Sequence, residues 1–318
     1  MPAARYSEGE FVELFRTLGP RRMARQTGLP IQAIMQRRQR IEQTRGVELT
    51  GPNVQVGGYA KVPAPLGSAR IELDVREGTV LVASDAHYWP GEETLMHRAL
   101  TQFAKELKPR ALILNGDVMD FPAISRHARI GWEHRPQVIE EIEWAQDKLH
   151  ELAQASGQAR KIWTLGNHDA RFESRLANLA PEYAKLHGFH LHEHFPLFEP
   201  CWSVWVNDHT VVKHRFRGGI HAVHNNLLWS GKNIITGHLH SAQVRPLTDY
   251  NGTRWGVDSG CLAEPSARAF LDYTEDNPKN WRSAFAVLTF HQGMLMCPEL
   301  ILKWDEQHVQ FRGEIIKC

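Results

Sequence analysis

The sequence predicts an α/β protein, a layered sandwich of sheets covered by helices, with a small all-helical head in front. Three observations carry this reading. Past Ile71, short apolar runs alternate with segments of helical period. Toward the C-terminus the runs become short strands with few helices between them. Ahead of Thr50 the apolar residues follow the helical period in short pieces broken by glycine and proline.

The head, residues 1–49, begins with Phe11, Leu14, Phe15 and Leu18 on one helical face, stopped at Gly19-Pro20. A second run, Arg21 to Thr27, is closed by Gly28, and a third starts beside Pro30 and continues through Ile31 and Ile34 into Arg37, Arg38 and Arg40. Short helix, glycine-containing turn and basic helix is the layout of a helix-turn-helix unit. Nine Arg against five Glu give this stretch a local charge of +4. Arg37, Arg38 and Arg40 are therefore candidate DNA contacts; the alternative is a helical hairpin whose arginines are only solvated. Residues 50–70 are rich in Gly and Pro and read as a linker or extended arm.

The main domain, residues 71–318, opens with a strand over Thr79–Ser84. A helix follows with Leu95, Ala99, Leu100, Phe103 and Leu107 on one face, then a strand at Ala111–Leu114. Ile142, Ala145, Leu149 and Leu152 stripe a long helix ahead of a strand at Lys161–Leu165. The later runs HTVVKH, NIITG, TRWGVDSG, SAFAVLTF, ILKW and VQFRGEII are expected to build a second sheet packed on the first.

Bulk composition excludes several functions. The net charge is +1, so any nucleic-acid affinity needs a local patch. The four cysteines are scattered without a CxxC pair, which points to free thiols in a cytoplasmic protein and away from a disulfide or zinc-knuckle scaffold. No apolar run approaches the roughly 18 residues of a membrane span. The 18 histidines are the unusual count, and their placement carries the chemistry.

Five apolar strands each deliver polar ligands just beyond their ends. Asp85 and His87 follow the first, Asp117 and Asp120 the second, and Asn167, His168 and Asp169 the third; His214 ends the fourth, and His238 and His240 follow the fifth. Neighbouring strand ends in α/β proteins converge on one crevice. Any single pair is an ordinary turn former, but five together specify a site. If the chain stays extended past Ser84, period two puts Asp85 and His87 on one side. Carboxylates, an amide and imidazoles without thiolates suit Mn, Fe, Zn, Ni or Co. The ligands are too many for one tetrahedral ion, so two ions sharing Asp117 is the economical arrangement.

This ordered set, DAH at 85–87, GDVMD at 116–120, GNHD at 166–169, His214 and GHLH at 237–240, resembles the calcineurin-like metallophosphoesterases from about Thr79 to His240. The resemblance implies a four-layer αββα sandwich and two divalent metals, manganese favoured, with Mg also admissible. It implies Asp85, His87 and His240 on one metal, Asn167, His214 and His238 on the other, and Asp117 bridging. His168 would face the substrate, oriented by Asp120 or Asp169; of the two Asp120 is preferred, because strand-end residues of adjacent strands can meet. One departure from the family pattern is Arg215 after His214, where glycine is common. The position of His214 at a strand end still favours it over His221 and His224. The run from Asp258 to Phe290 also resembles a phage and prophage subgroup, and the head resembles helix-turn-helix heads of such proteins.

The expected chemistry is phosphoester hydrolysis by a hydroxide bridging the two metals. Arg171, Arg215 and Arg217 are candidate phosphate contacts, and Tyr88 and Trp89 candidate stacking residues at the rim. The head and the phage-type C-terminus favour a phosphodiester of nucleic acid or nucleotide. The alternatives are a phosphomonoesterase or protein phosphatase, and a DNA-binding scaffold with a vestigial metal site. A helix-turn-helix head would also fit a homo-oligomer.

Overall fold

The computed structural model describes residues 6–47, 49, 69–127, 134–267, 270, 274, 277 and 279–318. The expected linker at 50–70 lies outside them apart from Ala69 and Arg70. The chain separates into two compact units, Met1–Ala64 and Pro65–Cys318. Among the described residues no helix is long and apolar enough to cross a membrane.

The N-terminal unit holds two helices, α1 (Glu8–Thr27) and α2 (Ile31–Arg45). Ser7 and Glu10 form a reciprocal capping box at the start of α1. Gly19, at φ 66° and ψ 168°, breaks α1 into the two pieces that the Gly-Pro pair foretold. Phe11, Phe15, Met23, Ile34, Ile41 and Leu49 close a small core.

The second unit runs β1 (Arg70–Leu73), β2 (Gly78–Ala83), α3 (Leu95–Leu107), β3 (Ala111–Leu114), α4 (Val138–Ala155), β4 (Arg160–Thr164), α5 (Ala170–Leu179) and β5 (Glu199–Cys201). It continues through β6 (Ser203–Val206), β7 (Thr210–Val212), α6 (Ala222–Ser230), β8 (Asn233–Thr236), β9 (Gln243–Asp249) and β10 (Gly252–Asp258). It ends with β11 (Ala284–His291), β12 (Met294–Leu295), β13 (Glu299–Lys303), β14 (His308–Phe311) and β15 (Glu314–Lys317). Among the described residues these strands make two sheets. One has the order β1-β6-β7-β8-β10-β9, and the other β15-β14-β13-β11-β2-β3-β4-β5 with β12 beside β11.

Strand alternation builds the layers. Val80 and Val82, with Ile113 and Ile162, point between the sheets and meet Val204, Val206, Val212 and Ile235. Leu81, Ala83, Leu112, Leu114 and Trp163 point the other way, into a core shared with Leu100 and Phe103 of α3 and Ile142 and Leu149 of α4. Helix α6 packs on β8, β9 and β10 of the smaller sheet. The result is helix, sheet, sheet, helix.

One expectation is corrected. SAFAVLTF does not join the second sheet: it is β11 and pairs antiparallel with β2, and β13, β14 and β15 extend from it. The reason is burial on both faces, since Ala284 to Leu288 are all fully buried, as a central strand requires. The second sheet instead recruits β1 from the start of the unit, paired with β6.

Ile113 is fully buried between the sheets. Ile113→Ala is expected to destabilise the fold by about 2–5 kcal/mol, read as a lower denaturation midpoint of the full chain.

Candidate metal centre

The ends of β2, β3, β4, β7 and β8 converge, and the side chains they deliver meet there. Asp85 and His87 are not continued strand, which corrects the extended geometry expected for them. Strand β2 stops at Ala83, and Asp85 (φ 54°) and His87 (φ 42°) are left-handed, as are Asp117 (φ 51°), His238 (φ 71°) and His240 (φ 56°). A non-glycine residue there costs about 1–2 kcal/mol, so surrounding contacts must hold it. Here they do: Asp85 N–H donates to Gly116 O (2.9 Å), His87 N–H to Asp117 O (3.1 Å) and Tyr88 N–H to Val118 O (2.9 Å). Glycine is required between these loops. A Cβ on Gly166 would lie 2.0 Å from Asp117 Oδ1, and one on Gly116 2.4 Å from the His214 ring.

Two groups of ligand-type side chains result, Asp85 with His87 and His240, and Asp117 with His214 and His238, and a third, His87 with Asp120 and His168, shares His87 with the first. His240 Nε2 lies 3.0 Å from Asp85 Oδ1, and His214 Nε2 lies 3.1 Å from Asp117 Oδ2. The rings of His214 and His238 are 5.2 Å apart. His214, preferred over His221 and His224, is the one buried here; His221 is exposed and His224 is half-buried on α6.

The hydrogen-bond pattern tests whether metals fit. His87 Nδ1 faces Asp120 (3.1 Å) and His214 Nδ1 faces the Asn115 carbonyl (2.8 Å), which fixes both rings by one nitrogen. His87 Nε2, His214 Nε2, His240 Nδ1 and Asn167 Oδ1 are all buried without a hydrogen-bond partner among the described residues. The 3.1 Å approach of His214 Nε2 to Asp117 is a charge contact and not an aligned hydrogen bond. Orphaned buried polar atoms are rare in folded proteins. Imidazoles pinned at one nitrogen and open at the other are the usual state of metal ligands. The donor set fits a pair of divalent ions.

Electrostatics agree. Burial opposes ionisation of Asp117, but His214, His168 and His87 outweigh it and hold the carboxylate well below its usual range. Asp120 is held low in the same way by His168 and His87 against its burial. Burial also opposes charge on His214, yet Asp85 and Asp117 push its imidazolium up to about 9. Imidazolium here supplies a counter-charge to the buried carboxylates that divalent cations would take over.

His168 stands beside the first two groups. Its Nδ1 is 2.7 Å from Asp120 Oδ1, its Nε2 is 3.9 Å from Asp117 Oδ2, and Arg171 Nη2 lies 3.2 Å from that same Nε2. Arg171 Nη1 donates to the Asp120 carbonyl (2.6 Å). Of the two acids weighed as its partner, Asp120 is the one in contact with the His168 ring; among the described residues Asp169 makes no contact with it. Its buried carboxylate instead accepts N–H bonds from Asp117, Val118, Gly166 and the Trp163 indole, at 2.8–3.0 Å. Sequence reasoning missed Glu141 on α4, whose Oε1 accepts from the backbone of Asp120 (3.2 Å) and Phe121 (2.8 Å). No nearby motif marks it, because it reaches the loop from a helix 20 residues away.

Other candidates fall elsewhere. Tyr88 is 2 % exposed and its hydroxyl meets His97 Nδ1 (2.8 Å), so it cannot stack on a substrate at the rim. Trp89 is half-buried. The aromatic wall is supplied instead by Phe270, whose ring is 5.2 Å from His87, and Trp281, 4.7 Å from His240. Arg215 is exposed, and Arg217 lies over the Trp229 ring at 4.0 Å. A further cluster, Glu93, His97 and Glu151, already holds a cation: Lys148 Nζ is 2.8 Å from both glutamates. In the N-terminal unit, Arg37 lies over Phe11 and donates to the Tyr6 carbonyl, and Arg38 lies over Phe15 and pairs with Glu42. Of the three candidate DNA contacts there, Arg40 is the exposed one without such a role.

Residues 78–275 match the sequence profile of the Calcineurin-like phosphoesterase family. The chain is 26 % identical over 245 residues to the Gene 54 protein of Mycobacterium phage D29, covering 70 % of this chain and 92 % of that protein. It is 25 % identical over the same length to the Gene 54 protein of Mycobacterium phage L5, with the same coverage. Among solved structures, wild-type Vps29 complexed with zinc from Entamoeba histolytica aligns at 13 % identity and TM-score 0.39, covering 75 % of this chain and 98 % of that one.

Two outcomes follow from the geometry. Manganese at 100 times its dissociation constant is expected to stabilise the chain by about 2.7 kcal/mol, a rise in thermal midpoint that chelation reverses and Asp117→Asn abolishes. Burial, with the charge of Asp120, pushes the Glu141 carboxyl from 4.5 up to about 8. Between those values the folded chain holds a proton that the unfolded chain has lost. The stability Glu141 contributes is thus full below its unfolded pKa and is lost as pH rises through about 8. Glu141→Gln keeps the acceptor and removes the titration, so its melting midpoint should gain on wild type from pH 5 to pH 8.

Proposed function

The chain belongs to the calcineurin-like phosphoesterase family, and from that premise we propose that it hydrolyses a phosphodiester of a nucleic acid or nucleotide. The observation that carries the reading is the set of buried, partnerless ligand atoms of His87, Asn167, His214 and His240 beside the His168–Asp120 pair. Asp85, His87 and His240 would hold one divalent ion, and Asn167, His214 and His238 the other, with Asp117 reaching both. Manganese is the first choice for an oxygen and imidazole set without thiolates. Bound there, the ions supply Lewis-acid stabilisation of phosphoryl charge and acidify water.

The rest is work for the chain's own side chains. Burial opposes charge on His168, but Asp120 and Asp117 outweigh it and hold the imidazolium above its ordinary range. Nδ1 is fixed on Asp120, and Nε2 lies 3.2 Å from the Arg171 Nη2 donor, so a proton at Nε2 becomes available to the leaving oxygen when the substrate phosphate draws Arg171 away. Arg171, fixed by the Asp120 carbonyl, directs its remaining N–H donors to a non-bridging phosphate oxygen. Phe270 and Trp281 wall the Asp85 side and exclude water from it. Support for a diester of nucleic acid comes from the phage relatives and the arginines of the N-terminal unit, where Arg40 is the exposed contact.

The test compares bis-p-nitrophenyl phosphate with p-nitrophenyl phosphate under several divalent metals, alongside labelled single- and double-stranded DNA. The expected result is preference for the bis ester and cleavage of DNA. His168→Ala should lower kcat by about 10²–10⁴-fold, with a smaller loss in Asp120→Asn. Cleavage of the monoester alone would replace this reading with a phosphomonoesterase. No cleavage of either ester, with Asp117→Asn indistinguishable from wild type, would end the enzyme reading.

A further inference from the structure

The outer face of the smaller sheet carries a groove of about 220 Å³ beside the metal centre. Its floor is Val211 and Ile234, and its walls are Arg70, Trp205, Lys213, Phe216 and Lys232. Strand alternation explains the placement: Ile71, Val204, Val212 and Ile235 fill the core between the sheets, so their neighbours in sequence face outward. Helix α6 packs over β8, β9 and β10, whereas the groove lies along β1, β6, β7 and the near side of β8.

Three cations are interleaved with two aromatic rings. Arg70 sits over the Trp205 indole at 4.1 Å and Lys232 at 5.8 Å, and Lys213 sits over Phe216 at 5.2 Å. Arg217 over Trp229, at 4.0 Å, continues the series past Phe216. Among the described residues no carboxylate lines the groove. Glu72, opposite Trp205 in the β1–β6 register, is exposed and forms no ion pair with these cations. Lys232 donates to the Asp208 carbonyl (2.7 Å), but Arg70 and Lys213, both half-buried, have no acidic partner among the described residues. Half-buried cations without counter-charge are unfavourable unless an anion completes them.

We propose that this groove binds a nucleic-acid strand in single-stranded form, its phosphates on Arg70, Lys213 and Lys232 and its bases against the Trp205 and Phe216 side. Positive charge along a groove with aromatic faces set into it is what unpaired bases and their backbone require, and bases held in a duplex cannot reach those faces. Lys213 immediately precedes His214, whose ring turns to the opposite side, into the metal centre. A strand lying in the groove is therefore delivered to the centre across a single strand end. The inference rests on the phosphodiester reading above and adds the path of the substrate.

The experiment measures fluorescence anisotropy of a labelled single-stranded oligonucleotide with the full-length chain in excess chelator, so that no turnover is needed. Failure of catalysis would leave this readout intact, and failure of binding would leave cleavage of small esters intact. Wild type should bind with an affinity that falls as salt rises. The double variant Arg70→Ala/Lys232→Ala should bind roughly tenfold more weakly, with the salt slope shallower by about 1.4, the share of two phosphates. Phe216→Ala, a truncation of an exposed ring, should lose about fivefold or more without change of slope. Circular dichroism and melting midpoints confirm that the variants fold. Unchanged binding in the folded variants, equal affinity for a duplex of the same sequence, or loss confined to Arg40→Ala in the N-terminal unit would overturn the proposal.

Discussion

The candidate centre depends on one fully buried carboxylate that lies outside the groups of ligand-type side chains. Asp169 opens α5 and gathers the N–H groups of Asp117, Val118 and Gly166 together with the Trp163 indole. The backbone donors belong to the loops after β3 and β4 and Trp163 to β4 itself, and between them the same loops carry Asp117, Asp120, Asn167 and His168. Burial and the neighbouring Asp117 push the Asp169 carboxyl up to about 6, against the pull of its donors. Removing it would leave buried N–H groups unpaired, at about 1–3 kcal/mol each. Spacing between the loops is set by this knot, and the missing side chain of Gly166 allows it to close.

Around that knot the fold concentrates unfavourable features. Five residues carrying ligand-type side chains have positive φ, four buried polar atoms lack partners, and two carboxylates stand close enough to oppose each other. Elsewhere the unit is built from ordinary apolar layers, with Val, Ile and Leu alternating between the inter-sheet and helix-facing cores. The layers supply the stability that the strand ends give up. Strain and charge collect where ions and phosphate are to be bound.

The strand-end residues were legible because each follows an apolar run short enough to be a buried strand, so convergence required only parallel strands. Their backbone conformation was not, since period two holds within a strand and Asp85 and His87 lie beyond one. Tyr88 was misread because an aromatic next to a ligand looks the same in sequence whether it points to substrate or to α3. Asp169 adjoins His168 in sequence, but the first turn of a helix sends the two side chains in different directions. Glu141, Phe270 and Trp281 arrive from segments far along the chain, where nothing local marks them. The destination of β11 was hidden for a related reason: an apolar run gives its burial but not the sheet that buries it.

Asp120 shows how two tasks become one. A single oxygen, Oδ1, lies 3.1 Å from His87 Nδ1 and 2.7 Å from His168 Nδ1, and the two rings meet edge to face at 4.8 Å. The same oxygen thus fixes Nδ1 of both rings, and one of those rings belongs to the Asp85 group. Glu141 fixes the Asp120 backbone, and Arg171 binds its carbonyl, so the orientation of both rings is set from α4 and α5 together. Helices on the outer layer therefore reach the sheet ends by bonding the backbone of the acid that both rings share.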